Sequence, residues 1–126
     1  MVTTDVAQLS GECNLWRDRL RSFRDEFASH KNRLQLVAGH QTHRDVLHEI
    51  EHLDNQFHIQ LINIHDLKQA IKIHDRKIAL ELATSNRQLS DEIMADHENL
   101  FDEFQSLEHT LRDISEQFDQ FMQHIR

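Results

Sequence analysis

The sequence predicts an all-α protein, an up-down-up antiparallel three-helix bundle with coiled-coil seams, and three observations predict it. The chain of 126 residues holds no proline and only two glycines, too little punctuation for a many-stranded sheet protein. Apolar residues recur at alternating spacings of three and four over three long stretches. Two short breaks separate those stretches, and short connections between long helices make antiparallel neighbours.

The first helix is expected over residues 5–38. Its seam reads Val6, Leu9, Cys13, Trp16, Leu20, Phe23, Phe27, His30, Leu34 and Val37. Thr4 suits the N-cap, and Asp5 faces the positive end of the helix dipole. Ser10 and Gly11 stand together near the start, where they would bend the helix or delay it. Gly39 is read as the left-handed residue that closes it. Thr42, with Asp45 three residues on, opens a second helix over residues 43–84. Its seam is His43, Val46, Ile50, Leu53, Phe57, Gln60, Ile64, Leu67, Ile71, His74 and Ile78. Ser85 with Gln88 forms another capping-box pattern and starts a third helix over residues 86–125. Ser90, followed by Asp91 and Glu92, is an alternative start. The third seam is Ile93, His97, Leu100, Phe104, Leu107, Leu111, Ile114, Phe118, Phe121 and Ile125.

Folding the chain at both breaks brings the seams into step as one domain over residues 1–126. The expected layers include Val6/His74/His97, Cys13/Leu67/Phe104, Trp16/Ile64/Leu107, Phe23/Phe57/Ile114 and Phe27/Leu53/Phe118. Each buried Leu- or Phe-sized side chain contributes about 1.5–3 kcal/mol, so the fold needs no metal to hold it. The shape resembles a long spectrin-type repeat, and no motif identifies a family.

The formal charge of −8 argues against nonspecific binding to nucleic acid or an anionic membrane. No apolar run is long enough to span a bilayer or serve as a signal peptide, so a soluble, cytoplasmic protein is expected. A single cysteine excludes an intramolecular disulfide framework and a cysteine-based zinc cluster. Cys13, on the seam with no histidine in its layer, is expected to be a buried, inert thiol. Gln60, polar in mid-seam, would fix register, bond within its own turn or reach the bundle edge.

Eleven histidines are many for this length. Most fall off the seams and are read as solvated; His30, His43, His74 and His97 fall on them. His74 and His97 share one layer at the end of the bundle by the second turn, where two imidazoles would share a metal ion with a carboxylate such as Asp5 or Asp96. The string His48-Glu49-Ile50-Glu51-His52 matches H-E-x-x-H. Ile50 is the seam residue, however, so His48 and His52 point outward and make at most an adventitious surface pair for a metal. Glu49-x-x-His52 fits the di-iron bundle motif once, again facing outward. No catalytic residue is expected, and no cofactor beyond an adventitious divalent metal.

Ile59, Ile62, Ala70 and Ile73 form an apolar stripe nearly opposite the second seam. Contiguous exposed apolar surface usually marks an interaction site. The leading expectation is therefore a non-enzymatic module that self-associates or binds a partner helix through this stripe. The alternative is a histidine-based protein that responds to metal or pH, since protonating all 11 histidines would turn the charge from −8 to about +3.

Overall fold

The long apolar stripes do form three helices, seen in a computed structural model that describes residues 6–84 and 89–125. They are α1 (Val6–Ala38), α2 (Arg44–Thr84) and α3 (Asp91–His124), each packed on the other two, with no strand among the described residues. The core runs the length of the bundle. Leu9, Cys13, Leu20, Phe27, Leu34, Phe57, Ile64, Ile71, Ile78, Leu111 and Phe118 are all nearly or completely inaccessible.

The ends of the helices correct several expectations. Thr4, Asp5, Ser85 and Gln88 lie outside the described residues. Helix α1 is continuous through Ser10 and Gly11, so those residues do not delay it. Gly39 is not in the left-handed region. The chain instead leaves α1 through successive i→i+3 bonds, from His40 N–H to the Val37 carbonyl at 3.0 Å and from Gln41 N–H to that of Ala38 at 3.3 Å. The first bond of α2 runs from Leu47 N–H to the His43 carbonyl at 3.0 Å, so His43, not Thr42, takes the cap position, and it is exposed rather than part of the seam. Helix α3 begins at the alternative start. The Ser90 hydroxyl accepts from Ile93 N–H at 3.2 Å, with Asp91 and Glu92 in the first turn. Glu81, in the last turn of α2, holds both the N–H and the hydroxyl of Ser90 and so clamps the second turn.

The pairing of α2 with α3 is as expected at His74 and His97. The position of α1 along them is not. Cys13 stands by the two histidines where Val6 was expected, and Phe27 packs on Phe57 where Phe23 was expected. Trp16 stacks on Phe104 where Cys13 was expected. The helix is displaced by about one to two turns. A heptad seam slid along its own repeat still meets a seam, so periodicity specifies the buried face and not the axial position. Polar crosslinks hold the observed register: Ser10 Oγ donates to Asp75 Oδ1 at 3.0 Å, and Lys31 Nζ to Asp54 Oδ1 at 3.0 Å. Gln60 is buried and accepts from Asn63 Nδ2 at 3.1 Å, a bond within its own turn.

Candidate metal centre

The displacement of α1 creates the most distinctive chemistry in the molecule. Each helix contributes one seam residue to a single buried layer: Cys13 from α1, His74 from α2 and His97 from α3. One potential ligand atom from each lies within 4.8 Å of the other two. His74 Nε2 and His97 Nδ1 are 2.9 Å apart, one ring donating its N–H to the lone pair of the other. These residues are at helical seam positions for the same reason as their Leu and Ile neighbours: the three-four spacing turns them inward.

The arrangement is close to that of a tetrahedral ion. Zinc bonds nitrogen at about 2.0–2.1 Å and sulfur at about 2.3 Å, which at the tetrahedral angle needs N···N and N···S spans of about 3.3 and 3.6 Å. The two ring nitrogens, 2.9 Å apart, stand a little closer than that, and all three ligand atoms lie within 4.8 Å of one another. Among the described residues, no fourth histidine, cysteine or carboxylate joins this group. A fourth position would go to water or an external ligand.

The surroundings are built as well. His97 Nε2, on the far side of its ring from His74, faces Glu12 Oε1 at 3.3 Å. The indole of Trp16 covers His97 with ring centroids 4.8 Å apart. Burial above all, and the Asp75 carboxylate with it, push the Cys13 thiol up to about 12. Burial also lowers the His74 pKa, and the neighbouring His97 adds to that. Without a cation, then, the pocket favours a neutral thiol and a neutral His74 imidazole. A cation that binds there displaces the thiol proton and the one shared between the rings.

The remaining sequence candidates are placed differently. Asp5 is outside the described residues, and Asp96, half-buried, acts on His74 through its charge without joining the ligand group. His48 and His52 are exposed on α2; His48 Nδ1 lies 3.9 Å from Glu51 Oε2, and neither belongs to a cluster of three potential ligands. Ile59, Ile62 and Ile73 are exposed, whereas Ala70 is half-buried at the groove between α2 and α3. The expectation that no histidine shares a layer with Cys13 is overturned. A one-heptad slip of the first seam puts Cys13 where Val6 had stood, and periodicity alone does not choose between the two registers. No helix among the described residues is long and apolar enough to cross a membrane. The chain matches no protein-family model, no curated protein and no solved structure.

Proposed function

We propose that the protein is a non-enzymatic helical bundle that binds one transition-metal ion through Cys13, His74 and His97. The observation that carries this reading is the convergence of three buried ligand atoms, one from each helix, within 4.8 Å. Thiolate with imidazole suits zinc and the later first-row metals. An ion held there ties all three helices together at the end of the bundle nearest the second turn.

The test is zinc titration of the purified chain with the melting temperature followed in parallel. At free zinc about 100 times the dissociation constant, binding adds about 2.7 kcal/mol of stability. One ion per chain is expected. Cys13→Ser and His97→Ala should each lose both binding and stabilisation, while the double variant His48→Ala/His52→Ala keeps both. Unaltered binding by Cys13→Ser would overturn the reading, as would loss of binding in the surface double variant.

A second reading has its own observation. Ile59, Ile62 and Ile73 are 39%, 49% and 54% exposed on one face of α2, an apolar stripe that pairing with another copy or a partner helix would cover. It predicts a dimer by light scattering that Ile62→Asp dissociates without loss of helicity. A mass unchanged by that substitution removes this reading.

A further inference from the structure

The centre proposed above has a carboxylate placed behind one of its ligands, and that placement bears on which ion it takes. We propose that Glu12 is the positioning residue that shifts the preference of this centre towards a divalent cation relative to cuprous copper. This inference rests on the three-ligand reading.

Two arguments carry it. The first is directional. A metal-bound imidazole has one nitrogen on the metal and donates its other N–H to an acceptor, which fixes the tautomer and the ring. Glu12 Oε1 sits 3.3 Å from His97 Nε2, while His97 Nδ1 faces His74. A proton held on Nε2 by the carboxylate leaves the Nδ1 lone pair pointing at the cluster. Glu12 is on α1, one residue before Cys13. One turn of one helix thus supplies both the thiolate and the group that orients the opposite ligand.

The second argument is charge. The ligand layer is buried, with Cys13, His74 and His97 at 0%, 3% and 6% exposure, so an unbalanced charge there is costly. A divalent ion with one thiolate leaves a net charge of one, which the Glu12 carboxylate neutralises. A monovalent ion is already neutralised by the thiolate, and the nearby carboxylate then contributes little. The Asp75 carboxylate, held by Ser10 and close enough to act on Cys13, pulls in the same direction.

Glu12→Gln separates the two ions, because the amide oxygen still accepts a hydrogen bond while the charge is gone. Glu12 lies partly in solvent, its side chain 40% exposed, and circular dichroism verifies that the variant remains helical. Wild type and Glu12→Gln are titrated with zinc(II), and anaerobically with copper(I), each against a chelator of known affinity. Zinc affinity should fall about 10-fold in Glu12→Gln, the low end of the range for altering an outer-shell partner, while copper(I) affinity stays essentially unchanged. Equal or greater loss for copper(I), or no loss for zinc, overturns the inference. Cobalt(II) distinguishes this failure from failure of the parent reading. A thiolate-to-cobalt charge-transfer band that vanishes in each of Cys13→Ser, His74→Ala and His97→Ala establishes the three-ligand centre whatever Glu12 does. Its absence from the wild type overturns the centre and this inference with it.

Discussion

Replacing His30 with phenylalanine should stabilise the protein, and more so as the pH falls. His30 is 8% exposed and lies among rings, its centroid 4.4 Å from Phe118, 5.8 Å from Phe57 and 5.9 Å from Phe27. Its Nε2 lies 3.3 Å from Ser115 Oγ and 3.6 Å from Glu26 Oε1, but its buried Nδ1 has no hydrogen-bond partner. Burial lowers its pKa; Glu26 on α1 and Asp119 on α3 oppose that, Arg33 on α1 adds to it, and α2 presents the uncharged Phe57 ring. Above the unfolded pKa of about 6.5 the imidazole is neutral in both states and its contribution is fully present. Below that value the unfolded chain takes up a proton that the folded protein resists, so stability falls with pH until the lower folded pKa is passed. One group responding in this way costs at most about 1.4 kcal/mol between pH ~7.5 and ~5.5. Urea unfolding of wild type and His30→Phe, followed by circular dichroism at three pH values, measures the difference. Subtraction cancels the similar response of His74. The variant should be more stable by about 1–3 kcal/mol near neutrality, from removal of an unsatisfied buried nitrogen, and the gap should widen towards pH ~5.5. A gap that stays constant or narrows refutes the reasoning.

Three further substitutions test the scaffold. Gly11→Ala should raise stability by about 0.5–1 kcal/mol, since an added Cβ meets nothing within 4 Å and the position is helical; a lower melting temperature would contradict the continuous α1. Leu20→Ala empties a fully buried site and should cost about 2–5 kcal/mol in urea unfolding, a cost under 1 kcal/mol being inconsistent with that burial. Ser90→Ala removes the cap on Ile93 N–H and should cost about 1 kcal/mol, whereas no change would mean that α3 begins elsewhere.

The fold was legible because its determinants are periodic. Leu20, Phe57, Ile64 and Leu111 announce their burial through spacing alone, and they are buried. His74 and His97 were paired correctly because the count back from the second turn brought them opposite each other. Cys13 was missed because helix α1 can slide by a heptad and present an equally apolar seam. What resolves that ambiguity is a handful of polar pairs, Ser10 with Asp75 and Lys31 with Asp54, which no periodic signal marks. Glu12 was missed for a related reason: a carboxylate just off the seam resembles any solvated glutamate until its helix is fixed along the axis. Gly39 was misread because a glycine after a helix usually signals a left-handed turn, and here the chain exits through a tighter right-handed one.

The packing of Trp16 against His97 also gives the molecule a built-in optical reporter. The chain has one tryptophan and no tyrosine, so nearly all its near-ultraviolet emission comes from an indole that is 3% exposed and 4.8 Å from an imidazole. A fluorescence melting curve of this protein therefore watches one layer, while far-ultraviolet dichroism averages over all three helices. For a cooperative domain the two curves coincide. Where they separate, the end of the bundle near the second turn has opened on its own, and the indole will have signalled it first.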